Sequence, residues 1–159
     1  MSGGAGTVLL VEDDRMVRAT VSEVLAEFGF AVLEADSGAQ ARALVDDHRP
    51  DVIVLDLGLP DTAGLDLLAE WSQASVAPVI VLSGRTGEFD RVVCLDLGAD
   101  DYVGKPFSAR ELVSRINAVM RRSRRRTPTE RLVFGALEVD VGSREVVLAG
   151  QEVVLTAKE

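Results

Sequence analysis

Over the first 120 residues, short and nearly continuous apolar runs alternate with stretches in which apolar side chains recur every three or four positions. Residues 7–11 (TVLLV) make the first run, and Met16, Val17, Val21, Val24, Leu25 and Phe28 follow at helical spacing. Asp14 stands where a helix cap belongs and Gly29 where a helix ends. The cycle then repeats. A strand at 30–33 precedes a helix carrying Ala39, Ala43 and Leu44, closed by Arg49-Pro50. Residues 52–55 (VIVL) and 78–82 (PVIVL) read as strands covered on both faces, because hardly a polar residue interrupts them. Leu65, Leu67, Leu68 and Trp71 mark the helix between them. Phe89, Val92, Val93 and Leu97 mark the next helix, ended by Gly98. A short strand at Tyr102 and Val103 and a helix carrying Leu112, Ile116, Val119 and Met120 complete the series. Five strand–helix units predict an α/β fold, a doubly wound five-stranded parallel sheet with helices on both faces. In such sheets the ligand site lies beyond the carboxyl ends of the strands.

The pattern changes after the RRSRRR run at 121–126. Residues 132–140, 145–148 and 151–155 alternate as strands do, with Gly142-Ser143 as a turn and no helical crossover between them. They predict a small antiparallel sheet, followed by a helix start at Thr156. So few residues bury too little surface to stand alone, so the segment reads as the front of a truncated second domain. The expected division is a flexible N-terminus at 1–6, a first domain at 7–122, a linker at 123–130 and the small sheet at 131–159.

Charge and composition narrow the function. Hydrophobic residues make up 47% of the chain and charged residues 27%, which is the balance of a globular protein. No apolar run approaches the roughly 20 residues that span a bilayer, and no secretory signal is evident. The single cysteine, Cys94, has no intrachain disulfide partner, and cytoplasmic residence is expected. Of the net charge of −9, the body at 1–120 is strongly acidic and repels nucleic acid; the arginine run alone offers phosphate contacts. Its plainer reading is a solvated helix end.

The predicted strand ends carry the candidate chemistry. The first gives Glu12, Asp13 and Asp14, the third Asp56, the fourth Ser83-Gly84 and the fifth Lys105-Pro106. A parallel sheet brings them to one edge. Two carboxylates ~4 Å apart repel by about 4 kcal/mol at an effective dielectric of 20. Either one of them is protonated or a cation sits between them. Oxygen donors with no His or Cys point to Mg2+. An aspartate beside Mg2+, a lysine and a hydroxyl makes a phosphoryl acceptor. Singly, each residue has a duller role, as a helix cap, a turn or a solvated loop residue. Their joint placement on successive strand ends is what argues for a site.

VLLVEDD at 8–14, DVIVLDLGLPDTAGLDLL at 51–68, PVIVLSGR at 78–85 and LGADDYVGKPFSARELVSRINAVMRR at 97–122 resemble two-component response regulators of the OmpR/PhoB family. Residues 131–159 resemble, over a shorter and less specific match, the N-terminal sheet of that family's winged-helix effector domain. The resemblance implies a CheY-like receiver with strand order 2-1-3-4-5. It implies Asp56 as phosphoacceptor, with Glu12, Asp13, Asp56 and the Gly58 carbonyl holding Mg2+. Lys105 would pair with the phosphoryl group, Ser83 would bond its oxygen, Tyr102 would switch rotamer with it, and the Lys105-Pro106 bond would be cis. It further implies a sensor histidine kinase as donor and a homodimer through the fourth helix, fifth strand and fifth helix. Across that contact Arg91 would pair with Glu111, Asp101 with Arg115 and Asp100 with Arg122. Promoter DNA would be the target of the full-length protein; the segment here stops before any recognition helix. Three positions depart from the common pattern: Gly58 replaces a larger residue, Gly84 a frequent alanine, and Gly104 precedes the lysine.

The expected role is therefore a phosphorylation-controlled transcription regulator, not an enzyme. One rival is a dimerisation module indifferent to its pocket, which the intact acidic cluster argues against. Another is an aspartyl-phosphate phosphatase, which needs a second acid two residues after the nucleophile, where this chain has Gly58. A dinucleotide-binding enzyme lacks its glycine-rich fingerprint after the first strand.

Overall fold

The computed structural model describes residues 4–84 and 87–126, then 131–134, 137–140, 145–148 and 151–153; side chains are described up to Ser123, Phe89 excepted. Strands and helices alternate as β1 (Gly6–Val11), α1 (Arg15–Glu27), β2 (Phe30–Ala35), α2 (Gly38–His48), β3 (Val52–Asp56), α3 (Gly64–Gln73), β4 (Val79–Ser83), α4 (Glu88–Asp96), β5 (Asp101–Gly104) and α5 (Ala109–Arg126). All five strands pair in parallel, in the order β2-β1-β3-β4-β5.

Alternating side chains of each strand enter opposite cores, since a strand has a period of two. Val8, Leu10, Val52, Val54, Ile80 and Leu82 face Val21 and Leu25 of α1 and Leu112, Ile116 and Val119 of α5. Leu9, Val11, Ile53, Leu55, Val79 and Val81 face Val45 of α2, Leu67 and Trp71 of α3 and Cys94 of α4. Both faces of β1, β3 and β4 are thus dry, and each fully buried Leu or Ile contributes about 1.5–3 kcal/mol.

Local signals set the ends. Asp14 caps α1: its Oδ1 accepts the Met16 and Val17 N–H groups at 2.9 and 3.0 Å. Gly29, at φ 89°, lets the chain turn into β2. Three expectations are corrected. The N-terminus is tied down from Ala5, whose N–H donates to the Gly29 carbonyl at 3.2 Å, and Gly6 opens β1. Met16, expected on the core face, is 80% exposed, and Phe28 is 48% exposed; Val21 and Leu25 carry the buried stripe of α1. Residues 123–126, expected to open the linker, continue α5 instead. Arginine is a good helix former, and cations suit a helix C-terminus.

Asp61, in the loop between β3 and α3, caps α2 together with Ser37. Its two carboxylate oxygens accept the Gly38 and Ala39 N–H groups at 2.8 and 3.0 Å. Those two bonds hold its carboxyl below the usual carboxylate range. A depressed folded-state pKa gives stability that is present above the unfolded value, near pH 4, and is lost as pH falls through the folded one. Asp61→Asn is accordingly expected to be less stable than wild type at neutral pH and to lose stability less steeply below about pH 4. Denaturant titrations across that range check it; superimposable acid profiles would count against the cap.

The chain divides after Met120 into two compact units. In the second, β6 (Arg131–Phe134), β7 (Leu137–Asp140), β8 (Glu145–Leu148) and β9 (Gln151–Val153) form an antiparallel sheet in chain order. The run at 132–140, read as one strand, is two, with Phe134 opposite Leu137. The expected turn at Gly142-Ser143 and the helix start at Thr156 lie outside the described residues, as do 1–3 and 127–130 of the expected N-terminus and linker.

Candidate acceptor site at the carboxyl edge of the sheet

Three of the five strand ends meet in one cluster. Glu12 follows β1 and is 1% exposed; Asp56 ends β3 and is 8% exposed. The Lys105 ammonium, just after β5, donates to Glu12 Oε2 and to Asp56 Oδ2, both at 2.9 Å. The other Asp56 oxygen accepts the Gly58 N–H at 3.1 Å, and the other Glu12 oxygen accepts the Asp14 N–H at 3.1 Å. Asp13 is exposed, yet oxygens of Glu12, Asp13 and Asp56 all lie within 4.8 Å of one another. Lys105-Pro106 is a cis bond, as expected, and the Lys105 N–H donates to the Ser83 carbonyl at 2.8 Å.

The crowding of negative charge is resolved in two ways at once. Lys105 supplies a cation between Glu12 and Asp56. Glu12 is also pushed up to about 7, first by burial and then by its hydrogen bond with Asp56. Burial alone would raise Asp56 too, but hydrogen bonds with Glu12, the Gly58 N–H and Lys105 outweigh it and hold Asp56 below its ordinary value. Burial would lower Lys105, but its bonds to Glu12 and Asp56 and their charges keep it above the usual lysine range. The corner therefore holds an ionised, partly desolvated Asp56 against a fixed cation.

The donor set suits Mg2+. It is all oxygen, one oxygen of each of three carboxylates lies within 4.8 Å of the others, and the exposed Asp13 leaves a side open for water. Gly58 is exposed, and a Cβ added there would lie 3.8 Å from Asp56 Oδ1, so no side chain at residue 58 screens the acceptor.

Ser83 ends β4 and is 3% exposed, paired in register with Gly104. Tyr102 is buried in the core that holds Val79, Val81, Cys94 and Ala99. The residues expected at a dimer contact sit as follows. Arg115 donates from Nη1 to both Asp101 oxygens at 3.1 Å and from Nη2 to Glu111 at 3.2 Å, all within the chain. Asp100 accepts the Val79 N–H at 2.9 Å. Arg91, Glu111 and Arg122 are exposed. So are Val92, Leu95 and Leu97, at and just beyond α4.

Two contributors were not apparent in sequence: Asp61, described above, and Arg18, whose Nη1 donates to the main-chain carbonyl of Glu12 at 2.8 Å. No helix among the described residues is long and apolar enough to cross a membrane.

A family model described as "Response regulator receiver domain" matches residues 8–117. The transcriptional regulatory protein CpxR of Klebsiella pneumoniae is 44% identical over 159 residues, covering 96% of this chain and 68% of that protein. The transcriptional regulatory protein KdpE of Mycobacterium tuberculosis is 40% identical over 154 residues, with the same coverage of each chain. The solved structure of DrrB, a Thermotoga maritima OmpR/PhoB homologue, matches with a TM-score of 0.64 and 29% identity, covering 96% of this chain and 67% of DrrB. With Asp56, Glu12, Asp13 and Lys105 gathered at the edge of a 2-1-3-4-5 sheet, the chain belongs to the two-component response regulators of the OmpR/PhoB family, its receiver domain spanning residues 8–117.

Proposed function

We propose that Asp56 accepts a phosphoryl group from a phosphohistidine of a sensor kinase and that this controls self-association and, in the full-length protein, DNA binding. The observation that carries the reading is the Asp56 carboxylate held by Lys105 at 2.9 Å within reach of Glu12 and Asp13. A carboxylate oxygen of Asp56 attacks phosphorus; the P–O bond forms as the P–N bond breaks, and its electron pair leaves with the imidazole. Glu12, Asp13, Asp56 and the Gly58 carbonyl would hold Mg2+, which would supply neutralisation of charge on the transferring group. Lys105 would add a second positive charge there, exchanging its bond to Asp56 for one to a phosphoryl oxygen. Ser83 donates its hydroxyl to another phosphoryl oxygen, and Tyr102 follows it. The protein is consumed as a stoichiometric acceptor and is not an enzyme; its place of action is the cytoplasm. Incubation with acetyl phosphate, with and without Mg2+, tests this by intact mass: a phosphoryl adduct is expected only with the metal.

The dimer reading rests on mixed charge and exposed apolar side chains along α4, β5 and α5. A two-fold contact suits such a self-complementary face. The Asp101–Arg115 and Glu111–Arg115 pairs made within one chain would exchange for pairs across the contact, Asp101 with Arg115 and Arg91 with Glu111; Asp100 would pair with Arg122. Arg115→Asp is expected to weaken dimerisation of the phosphorylated protein at least about tenfold, by placing like charges together. Adding Asp101→Arg is expected to restore part of it. Sedimentation measures both; a single variant that dimerises like wild type would exclude this face.

A further inference from the structure

We propose that Arg18, in the first turn of α1, is a positioning residue for the metal: its guanidinium fixes the peptide joining Glu12 to Asp13, so that their carboxylates converge with Asp56. The proposal rests on the reading of Glu12, Asp13 and Asp56 as the Mg2+ site.

Each polar atom of Glu12 has a partner, and the partners do different work. Its N–H donates to the Ala35 carbonyl at 3.0 Å, which continues the β1–β2 ladder. Its carboxylate oxygens are held by the Asp14 N–H and by Lys105. Its main-chain carbonyl accepts Arg18 Nη1 at 2.8 Å, and this bond is the one that holds the peptide leading into Asp13. Asp13 itself is exposed, so packing does little to orient it. Arg18 is anchored in turn: its side chain is 19% exposed, and its Nε lies 3.7 Å from Glu34 Oε1 on β2. The clamp therefore joins α1, the end of β1 and β2.

Arg18 lies in the first turn of α1, the positive end of the helix dipole, which the Asp14 cap and the Glu34 carboxylate offset. An incoming dication is repelled by the same guanidinium. The bond to the Glu12 carbonyl is what the position gains. The two effects give opposite signs on removal: charge alone predicts that losing Arg18 tightens metal binding, and positioning predicts that it weakens.

The test is Mn2+ binding, read from the free-ion electron paramagnetic resonance signal, with the whole 159-residue chain well below its unfolding temperature. Wild type, Arg18→Met, Arg18→Lys and Asp13→Asn are compared. Arg18→Met is expected to weaken binding about tenfold, the scale of losing a group that orients a metal ligand. Arg18→Lys keeps a donor for the carbonyl and is expected to recover most of that loss. Because every variant is folded at that temperature, a role confined to stability would leave the affinity unmoved. Arg18→Met binding as tightly as wild type, or more tightly, overturns the proposal, and so does Arg18→Lys binding no better than Arg18→Met. Wild type binding no better than Asp13→Asn would instead show that the metal reading itself fails.

Discussion

Asp56→Asn is expected to take up no phosphoryl group from acetyl phosphate under conditions that label the wild type. An amide nitrogen or oxygen is not the nucleophile that an ionised carboxylate is, and no neighbour replaces Asp56. Glu12 is 1% exposed with both oxygens already engaged, and its burial favours the protonated form. Asp13 lies on the open side of the cluster. The variant keeps the shape of the side chain and leaves Lys105 its bond to Glu12, so it is expected to stay folded, with an unfolding curve on the same sample as the check. That separates loss of the acceptor from loss of the fold. Labelling of the variant at the wild-type rate would remove Asp56 from the mechanism.

The second large effect is expected at Lys105. Lys105→Met keeps much of the side chain's bulk and removes the cation that touches both Glu12 and Asp56. Preorganised charge aimed at a developing transition state is worth on the order of a hundredfold per group. With Mg2+ expected to share the load at this site, labelling is expected to slow by about tenfold to a hundredfold. Stability should fall as well, by about 1–3 kcal/mol, because a buried carboxylate loses its charged partner. Initial rates at saturating Mg2+, with an unfolding curve on the same sample, check both. An unchanged rate would mean that Lys105 only balances charge in the resting protein.

Much of this was legible in the sequence because the signals were local. VIVL and PVIVL could only be strands covered on both faces, and an acid following such a run marks a sheet edge. Asp56 was therefore visible before any geometry was known, as were Glu12, Asp13 and Asp14. What was not legible depends on contacts between distant segments. Asp61 looks like one more loop acid in LPDTAG; its task, capping α2 from 22 and 23 residues away, follows from the packing of the β3–α3 loop on the α2 N-terminus. Arg18 lies among the residues of an amphipathic helix and reads as its solvent face. The available clue was a cation set against the helix dipole. Met16 was misread for the converse reason: its spacing fits the apolar stripe, but its side chain is exposed and lines a groove of about 370 Å³ with Pro106 and Phe107.

The acidic corner also shows why neither solution to its charge problem excludes the other. Lys105 offsets one carboxylate, while burial and hydrogen bonding favour the protonated form of Glu12. Such a corner has a cation fixed in place before any phosphoryl group arrives, which is the preorganisation that phosphoryl transfer requires of a protein.

The most direct measurement locates the phosphoryl group. The chain is labelled with acetyl phosphate in Mg2+, the acyl phosphate is reduced with borohydride, and the peptides are mapped by mass. Reduction turns a phosphorylated aspartate into homoserine and leaves every unmodified carboxylate unchanged. The account predicts homoserine at position 56, dependent on Mg2+, and aspartate retained at positions 13, 14 and 61. Homoserine at one of those other positions, or label at 56 that forms equally well without the metal, would contradict it.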